Sequence, residues 1–134
     1  MEQEKAHIEK RVNTFQKHER LNQKKLIALL FQKGKSFFSH PLATKYLPQE
    51  DDLGYHQILI SVPKKKLKKA YQRNLVKRRI REAYRQNKSL VSFQRHWLIA
   101  YIYSSEDILT YKEIEDKLKD SLLRLSKTEE NSKL

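Results

Sequence analysis

Apolar residues recur along this chain with two periods, one near four residues and one near two, and the switches between them divide it into elements. Leu26, Ile27, Leu30 and Phe31 share one face of a helix expected from Leu21 to Lys33, with Asn22 a candidate N-cap and Gly34 placed at C′. From Lys35 to Leu47, aromatic and β-prone residues read as extended chain, which Pro41 either splits or confines to a sheet edge. Gln49 to Gly54 is a turn. Tyr55 to Val62 is a strand with Ile58, Ile60 and Val62 on one face, and Pro63 ends it. His96 to Tyr103 is almost wholly apolar, which suits a central strand buried on both faces. Thr110 and Glu113 have capping-box spacing, and Ile114, Leu118, Leu122 and Leu125 continue as one core-facing stripe. The ends carry less pattern. Residues 1 to 18, with Ile8, Val12 and Phe15 loosely spaced, are expected to be a frayed or disordered extension. Residues 127 to 134 are expected to be a disordered tail, leaving one domain over 19 to 126.

Between these elements a helix is expected from Ala70 to Asn87, where helix formers run without Gly or Pro. At about 100° per residue, with Arg73 at zero, Lys77 falls near 40°, Arg81 near 80°, Asn74 near 100°, Arg85 near 120° and Arg78 near 140°. Ala83, Val76 and Ile80 fall at about 280° to 340°, as a narrow core-facing seam. The order is helix, two or three strands, basic helix, strand, helix. That is an α+β sandwich with helices packed largely on one side of a sheet.

Charge sharpens this picture. The 25 residues from Lys64 to Lys88 hold 12 of the 29 Lys and Arg residues and one acid, Glu82, so they carry +11 of the formal +13. An ordinary solvated face mixes both signs; this one does not, and a polyanion is the partner it fits. Lys64, Lys65, Lys66, Lys69, Arg73, Lys77, Arg78, Arg81 and Arg85 are the candidate phosphate contacts, and Asn74 is a candidate for a base edge or sugar hydroxyl. Phe31, Phe37, Phe38, Tyr46 and Tyr55 flank the sheet segments, where stacking on unpaired bases competes with a core role. Membrane insertion is disfavoured, because the basic helix lacks a broad apolar face, and no apolar run approaches the roughly 18 residues of a span.

Catalytic groups are scarce. The five His residues lack metal-ligand spacing, the absence of Cys removes thiolate chemistry, and two glycines provide no phosphate-cradling loop. Glu50, Asp51 and Asp52 sit together in a turn, which a solvated loop explains. The N-terminus has no apolar signal core, so a cytoplasmic protein is expected.

One motif is specific. Arg73-Asn74, Lys77-Arg78 and Arg81-Glu82 spell RNxxKRxxRE, between a strand ending SVPKK and an apolar strand. With Glu19-Arg20-Leu21 and LFQKGKS (Leu30 to Ser36), this resembles the bacterial ribonuclease P protein subunit over about residues 19 to 125. The resemblance implies a small partner of a catalytic RNA that removes 5′ leaders from precursor tRNA. It implies that the RNA holds the catalytic Mg2+ and performs the hydrolysis, so the protein has no catalytic residue and is inactive alone. It further implies an α-β-β-β-α-β-α order, a mixed sheet with a left-handed crossover around the basic helix, and no need for a protein oligomer. A cleft between the first helix and the sheet, with Ile27, Phe31 and Tyr46, would receive the single-stranded leader; Ile27 stands where many members carry Phe. Lys68 and Leu75 stand where the family often has Gly and Arg. A ribosomal or other structural RNA-binding protein is the alternative reading.

Overall fold

The computed structural model describes residues 15–131. After a 3-10 turn, Lys17–Glu19, come α1 (Lys24–Lys33), β1 (Lys35–Ser39), β2 (Leu42–Pro48), β3 (Gln57–Ser61), α2 (Ala70–Asn87), β4 (Trp97–Tyr103) and α3 (Tyr111–Asn131). Pro41 splits the extended stretch: β1 turns back onto β2 as an antiparallel hairpin at His40–Pro41, where the peptide bond is cis. The sheet runs β1-β2-β4-β3, with β4 antiparallel to β2 and parallel to β3. Parallel neighbours require a crossover, and α2 is that crossover.

β4 is buried on both faces, as its run of apolar residues demands. Trp97, Ile99, Tyr101 and Tyr103 join Val76, Ile80, Ala83 and Tyr84 of α2 and Ile114, Leu118, Leu122 and Leu125 of α3 in the main core. Leu98 and Ala100 point the other way, to Leu21 and to Leu26, Ile27 and Leu30 of α1. Two helices thus share one face and α1 covers part of the other. The capping box forms: Thr110 N–H donates to Glu113 Oε2 at 2.9 Å, and Glu113 N–H to Thr110 Oγ1 at 3.3 Å.

Three local expectations are corrected. α1 starts at Lys24 and not at Leu21, because Leu21 N–H is committed to Ile58 O of β3 at 2.8 Å. Gln23, and not Asn22, stands at the N-cap, without a side-chain cap bond. Gly34 ends α1 at φ −68, outside the left-handed region; its virtue is size, since a Cβ there would lie 2.3 Å from Leu30 O.

Both termini of the described chain are more ordered than their composition suggested. Phe15 packs edge-on against Tyr84 at 5.5 Å, and buried Glu19 receives Lys88 Nζ at 2.7 Å. Residues 1–14 of the proposed extension, Ile8 and Val12 among them, lie outside the described residues. At the other end α3 continues through 127–131, part of the stretch expected to be a tail. Buried Glu129 accepts N–H bonds from Gln94 at 3.1 Å and Arg95 at 2.6 Å, which anchors the helix end to the link before β4. Residues 132–134 lie outside the described residues.

Buried His56 accepts the Trp97 N–H on Nδ1 at 3.0 Å, so its neutral form is built into the sheet end. Burial first, and the charge of His96 second, lower its pKa from 6.5 to about 4, against the opposing pull of Asp52. The unfolded histidine takes up its proton near 6.5, so this contribution to stability is whole above that pH and is lost as pH falls towards about 4. Urea melts across this window should show the decline, and His56→Asn, which keeps an acceptor for Trp97, should flatten it by up to roughly 3 kcal/mol. An unchanged slope in the variant removes His56 as its origin.

Candidate nucleic-acid interface

The basic helix forms over the residues its pattern marks out, and its seam is buried: Val76, Ile80, Ala83, Tyr84 and Asn87 face the core. Tyr84 widens the seam to about 20° on the wheel. The seam fixes the rotation of α2 and so decides which cations face solvent. Asn74 and Arg78 are exposed, and Lys77 is half-buried beside them. None of these three has a carboxylate partner among the described residues.

The other cations of the helix divide by what they touch. Arg73 donates through Nη1 to Leu67 O at 2.9 Å and Lys68 O at 2.8 Å, clamping the loop that enters the helix. Arg79 lies on the α3 side and donates to Leu109 O at 2.6 Å. Arg85 is paired with Glu82, Nε to Oε2 at 3.0 Å, so its charge is largely answered within the helix. Those bonds hold the Glu82 carboxyl below its usual range and raise the Arg85 guanidinium. Arg85 therefore contributes less to an open cationic face than its position on the wheel suggested.

Before the helix, Pro63 O accepts the N–H groups of Lys66 at 3.0 Å and Leu67 at 3.3 Å. Leu67 is buried, Lys66 is half-buried, and Lys64, Lys65, Lys68 and Lys69 stand exposed. The loop thus continues the cationic surface past the helix N-terminus.

Arg81 occupies a special place. Its Nε is buried with no hydrogen-bond partner. Burial first, then Arg20 and Arg78, depress its pKa. Arg20 comes from the segment laid along the free edge of β3, where it bridges to Ile58. A shallow cavity of about 340 Å³, lined by Phe15, Lys17, Arg20, Asn22, Ile58 and Arg81, opens there. Sequence reading did not single out Arg20 as a contact, although it lies within the ERL triplet. Like charges gathered around an unmatched donor are costly in a free protein and are relieved by an anion.

The proposed cleft lies on the face covered by α1. Ile27 is half-buried there, and Phe31 is 41% exposed with Lys45 Nζ 5.2 Å from its ring centroid. Tyr46 does not join them. It pairs with Ile99, and its ring meets Trp97 at 5.8 Å and Phe37 at 5.6 Å on the opposite face. Side chains alternate along a strand, so Lys45 takes the face assigned to Tyr46. Phe38, 56% exposed, shares that face through β1, since Ser36 pairs with Lys45 and Phe38 with Ala43.

A family model described as Ribonuclease P matches residues 15–126. The ribonuclease P protein component of Porphyromonas gingivalis is 36% identical over 116 residues, covering 82% of this chain and 85% of its own length. The ribonuclease P protein from Thermotoga maritima superposes with a TM-score of 0.67 at 26% identity, covering 78% of this chain and 96% of that one. A mutant ribonuclease P protein from Staphylococcus aureus does so with a TM-score of 0.69 at 25% identity, over 83% and 90% of the two chains.

Arg81 puts stability and binding in opposition. Arg81→Met removes an unmatched buried donor and a like charge, so thermal melts should show unchanged or slightly raised stability, within about 1 kcal/mol. Affinity for structured RNA should fall, and the slope of log K against log salt should flatten by about 1. A large loss of stability with an unchanged salt slope would show that Arg81 is a structural residue.

Proposed function

The chain belongs to the ribonuclease P protein family, and we propose that it is the subunit that seats the catalytic RNA on α2 and guides the 5′ leader of precursor tRNA along the opposite face of the sheet. The observation that carries this reading is the α2 surface itself. Its buried seam holds Asn74, Lys77, Arg78 and Arg81 toward one sector, and no carboxylate among the described residues answers them.

In this reading the helix and the loop from Lys64 to Lys69 neutralise successive phosphates and release counterions. Arg73 acts partly from within, by fixing the loop that presents those lysines. Phe31, Lys45 and Phe38 offer rings and a cation to an unpaired strand, stacking on bases while the ammonium meets a phosphate. Hydrolysis belongs to the RNA. The cations α2 presents bind phosphate and repel Mg2+, and this reading leaves the catalytic ions to the RNA phosphates. The protein raises their effective affinity by stabilising the folded RNA. Among the described residues no helix is long and apolar enough to cross a membrane, and a cytoplasmic setting fits the proposed substrate. A structural RNA-binding role outside this assembly is not favoured, since the relatives described above are ribonuclease P proteins.

Reconstitution with the large RNA of the same genome tests the proposal. The isolated protein should cleave nothing. Added to the RNA, it should stimulate removal of the leader at low Mg2+, more so for longer leaders until the cleft is filled. Reversing Lys77 and Arg78 to Glu should weaken the complex at least a hundredfold, at ~1.5–3 kcal/mol for each charge-assisted contact. Undiminished stimulation by the reversed protein would sink the proposal.

A further inference from the structure

Tyr71 is 65% exposed on the first turn of α2. On the helical wheel it falls at about 160°, beside Arg78 near 140° and Asn74 near 100°, and away from the seam. Tyr71, Asn74 and Arg78 therefore form one open strip at i, i+3 and i+7, all three exposed. Lys69 Nζ lies 5.9 Å from the Tyr71 ring centroid, and no other ring touches it among the described residues. A large aromatic ring contributes to folding by being buried, and this one is not. It stands instead in a field of cations with a face open.

We propose that Tyr71 is a base-stacking residue that takes an unpaired nucleobase of the bound RNA on its open face, while Arg78 and Asn74 hold the adjoining phosphate and sugar. Lys69 steadies the ring through its cation–π contact and supplies charge to the neighbouring phosphate. This inference rests on α2 being the RNA-binding surface, and it adds a chemical preference that charge alone does not supply. Lys and Arg grip any backbone, whereas a ring needs a base that has left its stack. The helix would then select a bulged or single-stranded nucleotide over an uninterrupted duplex.

The test uses the full chain and the ribonuclease P RNA of the same genome, with affinity measured across a salt series. Tyr71→Ala should weaken binding about ten- to a hundredfold and leave the salt slope unchanged, because stacking releases no counterions. Tyr71→Phe should bind like wild type. In Tyr71→Trp the indole emission should be quenched on binding, over the background of buried Trp97. Thermal melts of each variant should match wild type, since the side chain is exposed. Wild-type affinity in Tyr71→Ala overturns the inference, as does a loss accompanied by a flatter salt slope, which would mark a charge effect. The Lys77→Glu, Arg78→Glu protein separates the two readings. If it binds normally, α2 is not the RNA surface. If it fails to bind while Tyr71→Ala binds normally, only the stacking role falls.

Discussion

The structure depends on a narrow strip of apolar contact that holds a self-repelling helix in one orientation. Along α2 the pairs 73/77 and 77/81 set like charges one turn apart, each costing a few tenths of a kcal/mol in an isolated helix. Burying Val76 and Ile80 stabilises by about 1.5–3 kcal/mol for each side chain, and Ala83 and Tyr84 add to it. The seam therefore outweighs the repulsion by several-fold, and α3 provides the opposing surface through Ile114, Leu118 and Leu122. Buried Asn87 secures the far end, with Nδ2 donating to Ala83 O at 2.7 Å and to Glu115 at 3.1 Å. Fixed rotation is what turns a run of lysines and arginines into a surface.

The acids nearest α2 among the described residues are placed so that they spare that surface. Glu82 answers Arg85 on the last turns, and Glu19 answers Lys88 just beyond them. The Glu19–Lys88 pair is mostly shielded from solvent, so its worth lies in geometry as much as energy. It ties the 3-10 turn to the end of α2. That tie, with Phe15 on Tyr84 and Leu21 on Ile58, lays residues 15–21 along the otherwise open edge of β3. The same placement brings Arg20 up to Arg81, so one local anchor both protects a sheet edge and enlarges the cationic field.

The sequence made some elements legible because the information was local or strictly periodic. The bounds of α2 follow from an uninterrupted run of helix formers with a single seam. β4 follows from a run that no half-buried strand would carry, and α3 follows from its capping box and four-step stripe. Other features were decided by partners far away in the chain. α1 starts late because Leu21 is claimed by Ile58, and α3 extends because Glu129 is claimed by amides 34 and 35 residues upstream. Tyr46 lies on the other face because parity along β2 is set by its pairing with β4, which composition does not reveal. The expectation that placed Tyr46 beside Phe31 came from resemblance, and the register assigns that face to Lys45.

Two positions that the resemblance set apart, Lys68 and Leu75, have a physical reading in the structure. At Lys68, where the resemblance led to an expectation of Gly, the loop needs no left-handed backbone, since no non-Gly residue among those described has a positive φ. The loop is held by the Lys68 carbonyl, which accepts from Arg73, and any side chain at that position is free to project outward. The exposed ammonium then adds to the cationic approach at no conformational cost. Leu75 sits half-buried at about 200°, next to Tyr71 on the wheel. That flank of α2 thus presents an apolar residue, with an aromatic ring open one turn earlier. A base stacked there, as proposed above, would be held by a contact that salt does not screen.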